Sequence, residues 1–359
     1  MRITDVELID LELSVTDPEN LAGVSNDPPP DSEPSVELQY DMSHRGVKVR
    51  CVYCKFPNHF HGVVINYGNG ERRLVGRDCA ESKHGVIYGQ ALKDFDTAVE
   101  RQAYLRRKRN AARVGGELFD EFTHFAASRG VRLYDWCLET WWSSFPDLSP
   151  VIRAHAKTGQ ELATKFEVRD FEAEKVSKRT LGEKFEEAKA EAKSYGEKWQ
   201  ISRTEHRTRG RLMEPGFFSH TSSVALTLER MRDALMQEIR LLSSDAPTTK
   251  MIKDAIKRLS ELKSELVQLT MHMELLSTAL SLASLNQIAS YAADQAEEFE
   301  AESARRSGLP LKKRPPQYRM TEGRLHNLRM PDRQPLGMPE GYSVSSRRLF
   351  ELFDQALAL

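Results

Sequence analysis

The 359-residue chain predicts a mainly α-helical protein that carries one small β-hairpin and helix module, followed by long antiparallel helices in a coiled-coil-like bundle with flexible termini. Three observations predict this. Three of the four cysteines, Cys51, Cys54 and Cys79, lie within one short stretch. Between Thr248 and about Ser303 there is neither Pro nor Gly, and apolar residues recur at alternating steps of three and four. Prolines and like charges collect towards the two ends of the chain.

Residues 1–42 hold eleven acids against one base, Arg2, and five prolines. That composition reads as an acidic arm, extended or partly disordered apart from short docking pieces. Within it Ile9, Leu11, Leu13 and Val15 alternate with Asp10, Glu12 and Ser14, which predicts one N-terminal strand.

Residues 43–115 reverse the charge, and up to residue 114 they hold fifteen Lys/Arg against six Asp/Glu. Cys51 and Cys54 have CxxC spacing, which lets one tight turn present two thiolates to one metal ion. Val63 to Asn66 and then Asn69-Gly70 predict a β-hairpin that carries the chain back to Cys79, where a helical pattern begins. The order of knuckle, hairpin and helix at a third ligand resembles the treble-clef group of zinc fingers, over about residues 47–95. The resemblance implies that the last two ligands come from the first turn of the helix. His84, five residues after Cys79, is the expected fourth ligand, and it needs an irregular first turn because five residues rotate it by about 140°. Gly85 permits such a turn. His61 and His59, on one face of the first hairpin strand, are the alternatives. Three Cys and one His close all four positions of one structural Zn2+. A redox CxxC is the weaker reading, because the expected strand-CxxC-helix context is missing and Cys79 would be left unexplained.

The helix leaving the zinc site becomes basic, and residues 101–113 carry six Lys/Arg and no acid. Arg101, Arg106, Arg107, Lys108, Arg109 and Arg113 on this helix, with Arg72 and Arg73 on the hairpin, are the expected phosphate contacts of a DNA- or RNA-binding surface. The plainer reading of the same run is a solvated helix face, or a partner for the acidic arm.

Residues 116–150 contain Trp136, Trp141 and Trp142, expected as the core of a small helical subdomain, with Cys137 a buried thiol among them. Residues 151–305 are expected to form the bundle. Ile252, Ala255, Leu259, Leu262, Leu266, Leu269, Met273, Leu276, Leu280 and Ala283 make a heptad seam on one helix about 80 Å long. Val224 to Leu242 and Leu181 to Trp199 carry shorter stripes that can partner it within the chain. A homo-oligomer through the 248–303 helix satisfies the seam equally well. Residues 306–344 read as a basic Pro-rich linker, and 345–359 as a short amphipathic helix capped by Ser345 or Ser346.

No stretch approaches the roughly 20 apolar residues that cross a bilayer, so no membrane partner is expected. The simplest compartment is the cytoplasm, where thiols stay reduced. No Gly-rich phosphate loop, nucleophile elbow or HExxH motif is present, which argues against an enzyme. Two function classes follow: a zinc-dependent nucleic-acid-binding protein, or a coiled-coil scaffold in which zinc only supports a fold.

Overall fold

The computed structural model describes residues 4–30, 32–67, 70–194, 201–245, 247–305 and 317–358. In chain order its elements are α1 (Asp5–Asp10), β1 (Ser35–Asp41), β2 (Val49–Arg50), β3 (Pro57–His59), β4 (His61–Asn66), β5 (Arg72–Gly76), α2 (Arg77–Ala126), α3 (Arg129–Ser144), α4 (Ser149–Thr158) and β6 (Ala163–Arg169). There follow α5 (Phe171–Leu181), α6 (Glu183–Ser194), β7 (Ser202–Thr208), α7 (Pro215–Ser219), α8 (Val224–Leu242), α9 (Thr249–Glu274), α10 (Leu276–Ala279), α11 (Leu282–Arg305), β8 (Tyr318–Thr321), β9 (Arg324–Asn327) and α12 (Arg347–Leu357). Long helices dominate, and the strands form small antiparallel sheets. The chain divides into two compact units, one of residues 1–117, 236–260 and 352–359, the other of 118–235 and 261–351.

The first unit is built on a three-stranded sheet of order β1-β4-β5. The predicted hairpin is its β4-β5 pair, registered from Gly62 opposite Gly76 to Asn66 opposite Arg72. Strand β4 buries Val63, Val64 and Ile65 completely, because both faces of the sheet are covered. Val63 and Ile65 pack with Cys51, Val75 and Tyr88 on one side. Val64 and Leu74 pack with Leu38, Tyr40 and the arm residues Val15, Leu21 and Val24 on the other. A continuous apolar run is what a strand covered on both faces requires.

The acidic arm is therefore structural over much of its length. The strand expected at Ile9–Val15 is replaced by helix α1 and a single parallel bridge, Ser14 to Gln39. Thr4 and Glu7 explain the change. They form a capping box, each side chain bonding the other's backbone N–H, and this starts a helix upstream of the alternating residues. Only Leu13 and Val15 keep an extended pairing, through the backbone of Gln39. Residues 35–41 of the arm supply β1 itself.

In the second unit the expected aromatic core is present. Trp141 is fully buried, stacked on Phe145 at 5.5 Å and edge-on to Phe218 at 5.2 Å between centroids. Cys137 is buried, and burial pushes its thiol up to about 12. Trp142 is half-buried and its indole N–H donates to the His220 carbonyl, whereas Trp136 lies near the surface. Asp135 caps helix α8, its carboxylate accepting from the backbone N–H groups of Val224 and Ala225.

The heptad seam is buried within the single chain at Ile252, Ala255, Leu259, Leu266, Leu269, Met273, Leu276 and Leu280, while Ala283 is exposed. The one long helix expected there is broken into α9, α10 and α11, so its longest straight piece, α9, is about 39 Å. No Pro or Gly causes the break. The Tyr342 hydroxyl donates to the Met273 carbonyl at 2.6 Å, occupying an acceptor of the helical ladder just before the interruption at Leu275. Of the stripe beginning at Leu181, Phe185 is buried. Leu181 is exposed and Gly182, at φ 53°, ends α5. Tyr195 and Trp199, which completed that stripe, lie outside the described residues. Two strands missed from sequence, β6 and β7, pair on either side of α5 and α6. The C-terminal amphipathic helix is present as α12, burying Leu349, Leu352, Phe353 and Ala356.

Shortening the mid-seam side chain tests the burial. Leu266→Ala is expected to cost about 2–5 kcal/mol by leaving a cavity. Urea unfolding should show a lower midpoint at unchanged slope; an unchanged midpoint would mean the seam is not packed.

Candidate metal centre

Four ligand atoms converge in the first unit. The sulfurs of Cys51, Cys54 and Cys79 and one ring nitrogen of His59 all lie within 4.8 Å of one another. The distances suit one tetrahedral ion. A Zn–S bond of about 2.3 Å and a Zn–N bond of about 2.0 Å put sulfur and nitrogen about 3.5 Å apart. His59 Nε2 is 3.3 Å from Cys54 Sγ and 3.6 Å from Cys79 Sγ. Three thiolates and one imidazole form a soft donor set that suits Zn2+. The group can hold one metal ion, and it leaves no protein-free coordination position for chemistry.

Each ligand is positioned by local backbone. The knuckle turn closes through Lys55 N–H to the Cys51 carbonyl at 2.9 Å and Cys51 N–H to the Phe56 carbonyl at 3.4 Å. To close it, Lys55 takes a left-handed conformation at φ 60°, which costs a non-glycine residue about 1–2 kcal/mol. The turn is tied to the sheet by Val52 N–H donating to the Leu74 carbonyl at 3.0 Å. Strands β2 and β3 then pair Val49 with His59, folding the chain back so that the imidazole meets the sulfurs. Cys79 is the third residue of α2, delivered by the end of β5.

Glycine at position 76 makes room for the imidazole. A Cβ there would sit 2.5 Å from His59 Cε1 and Nδ1, far inside contact distance. Gly62, its cross-strand partner, likewise accommodates the Tyr40 ring. The Gly62–Gly76 pair therefore seats two aromatic rings against the backbone of the sheet.

The thiols sense one another. Burial pushes the Cys51 thiol up, but the backbone N–H groups of Cys54, Gly76 and Tyr53 bond its sulfur and the net shift is downward. For Cys79, burial and the neighbouring Cys51 sulfur push the thiol up to about 12. A thiolate at Cys51 therefore opposes ionisation at Cys79, and a divalent cation among them removes that opposition. Since the ligands bind as thiolates, acid competes with the metal, and affinity falls as pH falls.

Among the sequence-predicted ligands, Cys51, Cys54 and Cys79 come together, and His59 supplies the fourth atom. His61 does not approach them; its Nδ1 lies 3.2 Å from Asp41 on an exposed surface. The side chain of His84 lies outside the described residues. Its backbone is in α2, which runs without interruption from Arg77, so the irregular first turn that His84 needed is not formed. The signal for His59 was its place five residues after Cys54, on the strand that pairs back onto the knuckle.

The predicted basic residues divide into two groups. Several have partners inside the molecule. Arg72 forms a bidentate pair with Glu37 and also bonds the Ala22 carbonyl. Arg73 is 3% exposed and bonds the Asp27 carbonyl and Glu71. Helix α1 lies along α2: Asp5 pairs with Arg101, Asp10 with Arg109, and the Ile9 carbonyl accepts from Arg106. Gln102, buried, donates to the Leu8 and Leu11 carbonyls at the same contact. The second group, Arg107, Lys108 and Arg113, has no ion-pair partner among the described residues, and Arg113 is exposed. Arg107 lies over the Tyr104 ring.

A basic surface that charge counting placed mainly on the helix is also present on the knuckle. From Met42 to Gly70 there is no Asp or Glu, and Arg45, Lys48, Arg50 and Lys55 are exposed. No helix among the described residues is long and apolar enough to cross a membrane. Comparison of the chain with protein-family models, with curated proteins and with solved structures gives no match.

Metal removal is expected to lower thermal stability and loosen residues 43–80, with about one zinc per chain released on chelation. Gly76→Ala should displace His59 and weaken zinc retention about 10–100-fold, read by competition with a chromogenic chelator. Retention equal to that of the parent would show that the imidazole is not a ligand.

Proposed function

We propose that the chain is a non-enzymatic, zinc-dependent nucleic-acid-binding protein, with the Cys51/Cys54/His59/Cys79 module as its reader and the helices as its frame. The observation that carries this reading is the exposed knuckle built directly on the metal group, whose own segment from Met42 to Gly70 holds cations and no acid, Glu19 of the arm alone reaching the Arg50 backbone. Four cations on a clamped backbone displace condensed counterions, and the backbone needs no ordering at the moment of binding. The likeness to treble-clef zinc fingers belongs to this proposal. Knuckle, hairpin and helix follow in the expected order, while the histidine ligand comes from the strand beside the knuckle and not from the helix.

In this reading Arg45, Lys48, Arg50 and Lys55 contact phosphates, and Arg107, Lys108 and Arg113 extend the track. Arg72 and Arg73 hold the sheet and the arm together. Arg101, Arg106 and Arg109 are held by α1, whose acids occupy a surface that a polyanion would otherwise meet.

Salt dependence tests it. Replacing Arg45, Lys48, Arg50 and Lys55 together by Gln should lower the slope of log K against log salt by about 3, at roughly 0.7–0.9 per contact. Asp5→Asn with Asp10→Asn should tighten binding by releasing Arg101 and Arg109, while leaving β1 in place. Under the scaffold alternative, neither DNA nor RNA binds at low salt, and both variants behave as the parent does.

A further inference from the structure

We infer that the knuckle takes single-stranded nucleic acid, with an unpaired base stacked on the ring of Phe56. This deepens the proposed function and rests on it.

Phe56 is 63% exposed. Exposure of one apolar residue is ordinary. The setting of this one is different, because its backbone is held at the metal turn. The Phe56 carbonyl accepts from Cys51 N–H at 3.4 Å and from Asn58 N–H at 3.0 Å. Lys55, at φ 60°, fixes the approach of the chain. The backbone that carries the ring is thus part of the turn that carries Cys51 and Cys54. An aromatic that the fold leaves in water on a held backbone is a ready platform, since binding has little backbone freedom left to order.

Its neighbours along and across the ribbon are cations, with one acid of the arm beside them, the Glu19 carboxylate accepting from the Arg50 backbone N–H at 3.4 Å. Lys55 precedes it, and Arg50 pairs across the ribbon with Pro57, the next residue. Lys48 and Arg50 flank the buried Val49, so strand alternation sends both outward. The Lys48 ammonium lies 5.4 Å from the centre of the Phe60 ring, a second, half-buried aromatic on the same ribbon. Cations for a backbone beside aromatic faces for bases are the two components of sequence-tolerant single-strand binding. Duplex reading calls for something else, a helix or a long ribbon that fills a groove about 12 Å wide. Strands β2 and β3, of two and three residues, end in a tight turn and offer no such element.

The ring's chemistry does not distinguish RNA from DNA, so the probes are oligo-U, oligo-dT and a mixed-sequence DNA duplex of equal length. Binding of the zinc-loaded full chain is measured by fluorescence anisotropy across a salt series. The parent should prefer the single strands. Phe56→Ala should weaken them about 5–100-fold, the loss typical of one stacking aromatic, at unchanged salt slope. Phe56→Trp should restore affinity. Zinc content and melting of both variants should match the parent, since the ring is not in the core. Parent-like single-strand affinity in Phe56→Ala, or a parent preference for duplex, overturns the stacking inference. If the quadruple Gln variant still loses its salt slope in that case, nucleic-acid binding stands without it. Absence of parent binding to all three probes at low salt overturns both.

Discussion

Three sulfurs and one imidazole held within 4.8 Å are the constraint on which the first unit depends. Without a cation, a thiolate at Cys51 opposes ionisation of Cys79, and four polar groups occupy space that a core would fill with hydrocarbon. With a divalent cation the same atoms become a cross-link between the knuckle, β3 and the first turn of α2. The glycine at position 76, the left-handed Lys55 and the N–H groups aimed at Cys51 are all arranged around that point. Each is costly or indifferent to folding alone, and each is accounted for by the ligand geometry.

Charge supplies the second organising effect. The near-zero net charge hides an acidic arm and a basic module that are covalently joined, and the fold brings part of them together. Helix α1 places Asp5 and Asp10 on Arg101 and Arg109. These pairs are half-exposed or more on the acid side, so each contributes little to stability. Their larger effect is on which cations remain available. The arm also covers one face of the β-sheet through Val15, Leu21 and Val24, so it is part of the fold as well as a counter-charge.

Much of this was legible in the sequence. Cysteine spacing, the β4-β5 hairpin, the Trp141 core and the C-terminal helix are all local patterns, and they appear as expected, while the seam is buried at most of its positions on a helix that is broken. What was not legible depends on distant partners. Strand β1 alternates Val36, Leu38 and Tyr40 with polar residues, but it sits beside a proline- and acid-rich run that reads as arm. His59 is recruited by a strand pairing of two and three residues, too short to announce itself. The tyrosine whose hydroxyl meets the Met273 carbonyl beside the break lies 69 residues later. Counting charges located the basic excess, yet the acids that engage Arg101 and Arg109 lie 96 and 99 residues away in sequence.

The most direct measurement is X-ray absorption at the zinc edge on the purified full chain, repeated for His59→Ala and His84→Ala. The account predicts a first shell of three sulfurs near 2.3 Å and one nitrogen near 2.0 Å. The nitrogen should be lost or replaced in His59→Ala and kept in His84→Ala. A shell with fewer than three sulfurs, or one that responds to His84→Ala and ignores His59→Ala, would contradict it.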